Sequence, residues 1–147
     1  MLHTLLLTAG ACSIINDYNP ATYQEPSIMV SEQAPAEDVD LLARCITAEM
    51  GYNRDEVVYY LAGSVILNRM KSDYFPTYLY DVIYQPGQYQ CTWNGHIERE
   101  ADESAIKVAN DLLLNGTYIP DDVVFQAEFK QGHGVYEYIN NTYFCYQ

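Results

Sequence analysis

The segment AEDVDLLARCITAEMG, residues 36–51, puts one carboxylate where its helix should be apolar. Leu42, Cys45 and Ile46, with Val39 a turn earlier, recur at helical spacing. Glu49 falls seven positions after Leu42, four after Cys45 and three after Ile46, so it shares their inward stripe. It also stands in the last turn, where the negative end of the helix dipole disfavours a carboxylate. Burial and dipole both push its pKa upward. A carboxylic acid that stays protonated near neutral pH is what a general acid requires. The plainer alternative is a glutamate at a frayed helix end, paired with Arg54 or Arg69.

A second stretch, YQPGQYQCTWNGH at residues 84–96, has the equipment to hold a substrate for such an acid. Gln85-Pro86-Gly87-Gln88 reads as a type II turn, with Pro fixing the second position and Gly supplying the positive φ of the third. The turn brings the two glutamines together, with Tyr84, Tyr89 and Trp93 nearby. Flat rings cover the C–H faces of a sugar and amides read its hydroxyls. Gln85, Gln88, Tyr89 and Trp93 are therefore the candidate glycan contacts, although packing would also account for the rings. Trp93 reads equally well as a core plug.

These residues need a scaffold. A second helix fits RDEVVYYLAGSVILNRMKS, apolar on most faces and so central to the core. A third fits DESAIKVANDLLLNG, with acids in its first turn and Gly116 just past its last. DVVFQAEF, GVYEYIN and TYFCYQ are β-branched and aromatic runs separated by KQGHG and by Asn140-Asn141, which is strand and turn chemistry. Three helices followed by a small antiparallel sheet make an α+β domain over residues 37–147. His96 and His133 lie in Gly-containing loops and read as solvated side chains. Cys12, Cys45, Cys91 and Cys145 match no zinc spacing, so neither metal nor cofactor is expected; they read as paired or as buried free thiols.

Residues 1–36 read as an apolar leader followed by an acidic, Pro-containing linker. AGAC before Ser13 resembles the small-residue box of bacterial lipoproteins, with Ala9 where a leucine is usual, so lipidation at Cys12 is one expectation and an ordinary tail the other. The net charge of -13 repels polyphosphate and disfavours nucleic acid and anionic membrane as partners. Asp17, Glu25, Glu32, Glu37, Asp38 and Asp40 precede residue 41 with no base among them, so part of the excess belongs to the front end.

AEMG, then VILNRM, then VIYQPGQY, closed by INNTYFC, resemble in order the motifs of SleB-type cell wall hydrolases, which include spore cortex-lytic enzymes. The likeness runs from Val39 to Phe144. It implies a compact lysozyme-like catalytic domain acting on peptidoglycan glycan strands outside the cell, deployed by a host or a phage; a monomer is the expectation. It also implies that Glu49 is the catalytic acid and that Gln88 lies along the sugar groove. Two departures stand out: the family's second glutamate is replaced within GYNRDE, and its terminal-strand histidine corresponds to Thr142.

A hydrolase needs a second carboxylate, for which Asp55, Glu56 and Glu128 are candidates. A lytic transglycosylase does not, because the sugar's own 6-hydroxyl attacks. The missing second glutamate favours the transglycosylase. A non-catalytic glycan-binding module of the same fold and a structural domain with a Tyr-rich interface are the alternatives.

Overall fold

The computed structural model describes residues 33–147; the expectations for the leader and for Cys12 lie outside them. Helix α1 (Ala36–Met50) carries Glu37 and Asp38 in its first turn and buries Leu42, Ala43, Cys45, Ile46 and Thr47. Helix α2 (Glu56–Lys71) starts where the Asp55 side chain accepts the Val57 N–H at 3.1 Å, and it is buried almost continuously from Val58 to Arg69. The stretch joining it to the third long helix is itself partly helical. It holds α3 (Leu79–Ile83), α4 (Cys91–Asn94) and a 3₁₀ turn at His96–Glu98. Helix α5 (Glu103–Asn115) is capped by Asp102, which accepts the Ser104 N–H at 2.9 Å.

Helices α1, α2 and α5 meet at Gly63. A Cβ there would lie 2.5 Å from Leu112 Cδ1 and 2.9 Å from Ile46 Cδ1, so any side chain would have to displace both. Leu42, Ile46 and Ile66 are fully buried around it, and each contributes about 1.5–3 kcal/mol of transfer free energy.

Strands β1 (Val123–Ala127), β2 (Gly134–Ile139) and β3 (Thr142–Tyr146) form one antiparallel sheet with β3 in the middle. Asn140 and Asn141 join β2 to β3 with φ of 50° and 61°, the paired positive values of a two-residue hairpin turn. Val123 and Phe144 pack against Leu61 and Val65 of α2. The helical domain with its small C-terminal sheet is the expected α+β arrangement.

Candidate active site

The end of α1 is pinned on several sides. Gly51 donates its N–H to Thr47 O at 2.8 Å, and Tyr59 donates its hydroxyl to Gly51 O at 2.8 Å. Arg54 Nε donates to Met50 O at 3.0 Å, and Thr47 Oγ1 accepts the Asp102 N–H at 3.0 Å. Arg44 Nη1 reaches Glu98 O at 3.0 Å and Arg99 O at 2.9 Å, binding the far side of the helix to the 3₁₀ turn. The helix end is not frayed, and Arg54 is engaged with backbone. Among the described residues the ion pairs are Arg44 with Asp40 and Lys71 with Asp121, so Glu49 is in none.

Glu49 is half-buried and opens onto a cavity of about 400 Å³. Ala48 and Met50 flank it on α1; Gln90, Cys91, Asn94 and His96 form one wall; Gln126 and Ala127 of β1, Glu128 just after it and Thr142 of β3 form the other. Burial is the largest influence on Glu49 and raises its pKa. The Cys91 thiol and N–H, the Arg69 charge and His96 pull the other way without cancelling it. The site therefore holds a carboxyl biased toward its protonated form, facing amides and a histidine.

The Pro-Gly turn forms as expected, with Gly87 at φ 79° and Gln88 donating its N–H to Gln85 O at 3.2 Å. Its side chains, however, face a different partner. Gln88 Oε1 accepts from Arg69 Nη1 at 3.1 Å, and Arg69 Nε donates to Val124 O at 2.8 Å. The buried Arg69 guanidinium lies 4.9 Å from the Phe75 ring centre and 5.2 Å from that of Tyr89. Arg69 thus ties α2 to β1 and to the turn.

Tyr89 corrects the sequence expectation: it is 1% exposed, its ring a core element rather than a sugar platform, because Arg69 and the surrounding apolar residues enclose it. Burial pushes its hydroxyl pKa up. Gln85 Oε1 is buried and unpartnered, and neither Gln85 nor Gln88 lines the cavity. Trp93 is 59% exposed on α4 next to the lining residue Asn94, with a free face beside the cavity but outside its lining.

Several lining residues were not singled out from sequence. Gln90 caps and Asn94 ends a helix too short to show a period, and Gln126 is brought in by the sheet. His96, read as solvated, is half-buried at the cavity wall, because the 3₁₀ turn folds it toward α1. Glu128, one of three candidate second carboxylates, lines the cavity, whereas Asp55 and Glu56 are exposed at the start of α2 and do not. Thr142, the departure noted in the terminal strand, also lines it. His133 is exposed, with Nδ1 2.7 Å from Gln147 O, and takes no part. Among the described residues no group of three or more His, Cys, Asp or Glu is placed to hold a metal ion.

The fold has solved counterparts. The catalytic domain of the Bacillus cereus SleB protein superposes with a TM-score of 0.66 at 20% identity, covering 76% of this chain and 91% of that one. The catalytic domain of the germination-specific lytic transglycosylase SleB from Bacillus anthracis gives 0.64 at 19% identity, covering 76% and 96%. Among curated proteins none matches the chain. The Cell Wall Hydrolase family matches residues 55–144, a span that takes in α2, the Pro-Gly turn, Gln90 to His96, β1, β2 and the start of β3. Glu49 stands six residues before that span and enters the site through the packing of α1 on it. With more than half of its length matched, the chain belongs to the Cell Wall Hydrolase family and is an enzyme acting on peptidoglycan.

Proposed function

We propose that the protein cleaves the β-1,4 bond between N-acetylmuramic acid and N-acetylglucosamine as a lytic transglycosylase, with Glu49 as acid and then base. The observation that carries this reading is the half-buried Glu49 carboxyl, outside any ion pair, facing the cavity with its pKa raised by burial. Protonated, it donates to the bridging oxygen as the bond to the muramic C1 breaks. The resulting carboxylate then takes the proton of the sugar's 6-hydroxyl, whose oxygen closes on C1. No water is consumed, and the product ends in 1,6-anhydromuramic acid. The description of the Bacillus anthracis relative as a lytic transglycosylase supports this chemistry for the fold.

In this reading Gln90, Asn94 and Gln126 face the hydroxyl and acetamido groups, and Trp93 offers a ring to a neighbouring sugar. Gln85 and Gln88 shape the wall from behind. The enzyme works on extracytoplasmic wall, delivered by a host or a phage. A second reading, hydrolysis with Glu128 as base, is favoured by one observation: Glu128 lines the same cavity.

Digestion of purified peptidoglycan with mass spectrometry of the fragments tests the choice. Anhydromuramic ends are expected. Reducing ends, lost on Glu128→Gln, would establish hydrolysis instead. Intact sacculi after treatment with folded protein would contradict both.

A further inference from the structure

We propose that Cys45 and Cys91 are a redox-responsive pair beneath the active-site carboxylate, closing into a disulfide that ties α1 to α4. Residues 46 positions apart in sequence are buried in one core cluster: Cys45 is 0% exposed and Cys91 is 2% exposed. Helix α1 packs on α4, both cysteines are unbridged, and Cys91 is the largest influence on the Cys45 thiol, whose pKa it raises. A single buried cysteine packs as a small hydrophobe and needs no further account. Two in one buried cluster, on the two helices that flank a cavity-facing carboxyl, do.

Cys45 lies one turn before Glu49, and Cys91 lines the same cavity as Glu49, where its thiol and N–H favour the charged carboxylate. The third described cysteine, Cys145, sits on β3 opposite Phe125 and Val135, outside this cluster. Peptidoglycan lies outside the cytoplasmic membrane, where disulfides form and persist.

The reaction is thiol–disulfide exchange with a small or protein disulfide as oxidant. The Cys91 thiolate, at the cavity, attacks one sulfur of that donor and releases the first thiol. Cys45 then attacks the Cys91 sulfur and releases the second. The pair loses two electrons, the donor gains them, and the two cysteine protons leave on the departing thiols.

Closure removes the Cys91 S–H from Glu49. The groups still facing that carboxyl are the Cys91 N–H on α4, Arg69 on α2 and His96 on the 3₁₀ turn, with Glu128 of the sheet across the cavity and Tyr89 in the core behind. The lost donor favoured the charged form. Oxidation therefore raises the pH at which Glu49 gives up its proton, and the alkaline fall in activity moves to higher pH. This consequence rests on Glu49 being the acid; the cross-link itself does not.

The test uses the full chain equilibrated with oxidised glutathione or with dithiothreitol, then alkylated, digested and analysed by mass spectrometry. A Cys45–Cys91 peptide pair is expected in the oxidised sample, with a thermal midpoint higher by more than about 5 °C and an alkaline limb shifted up. Cys45→Ala should abolish the cross-link and make the pH profile indifferent to the oxidant. Alkylation of both cysteines under oxidant, or bridging of either to Cys12 or Cys145, overturns the proposal; this is read on the unmodified chain and needs no variant to fold. A cross-link without a shifted limb, in an enzyme that Glu49→Gln inactivates, overturns the coupling to the carboxyl. An active Glu49→Gln enzyme would instead remove the functional reading, with the cross-link still decided by mass.

Discussion

Two neighbouring pieces of one segment behave in opposite ways. In residues 84–89 the polar groups turn inward: Gln88 serves Arg69 and Tyr89 is sealed in the core. In residues 90–96 they turn to the cavity, where Gln90, Asn94 and His96 face Glu49. Both stretches are rich in amides and rings, so composition does not separate them. What separates them is the partner. A side chain whose donors and acceptors are taken up within the protein holds the wall, and one left facing open space is available to a ligand.

The sharpest way to break this contrast is to neutralise the cavity side. Glu49→Gln should lower turnover by about 10²–10⁴-fold, measured as soluble fragments released from sacculi. The same change should raise the thermal midpoint at neutral pH. Folding lifts the Glu49 pKa above its ordinary 4.5, so between the unfolded and folded values the native chain binds the extra proton. Its stability contribution is present below the unfolded value and is lost as pH rises through the folded one. Glutamine, which does not titrate, removes that loss.

On the wall side the expected cost falls on stability. Arg69→Met removes two charge-assisted bonds and orphans the Val124 carbonyl, for roughly 2–4 kcal/mol by chemical denaturation. Gly63→Ala would force a methyl against Leu112 and Ile46, with a cost of about 1–3 kcal/mol. The most discriminating comparison is the smallest. Gln88→Ala should cost about 1 kcal/mol of stability and leave KM unchanged. Gln90→Ala should leave stability within about 0.5 kcal/mol and raise KM about fivefold, the loss of one hydrogen bond. Interchanged results would dissolve the distinction between wall and site.

Much of this was legible in the residues. Helices α1, α2 and α5 carry long enough apolar stripes to declare themselves, and Glu49 stood out because it interrupts one. The Asn140-Asn141 hairpin was readable from turn chemistry. Helices α3 and α4 were not, since five and four residues show no period. Nor was the second cavity wall: Gln126, Glu128 and Thr142 lie far along the chain from Glu49, and only the sheet docked on α2 carries them to it. The burial of Tyr89 was equally hidden. An aromatic ring next to a turn suits a sugar or a core, and the deciding neighbour, Arg69, comes from another helix.

The central claim is that burial raises the pKa of Glu49 at the cavity and that this carboxyl is the acid of the reaction. A carbon-13 carboxyl titration of Glu49 by NMR, set beside the pH dependence of fragment release, tests it most directly. The account predicts a midpoint above 4.5 that coincides with the alkaline fall in activity. A midpoint at or below 4.5, or an activity limb that ignores it, would contradict the account.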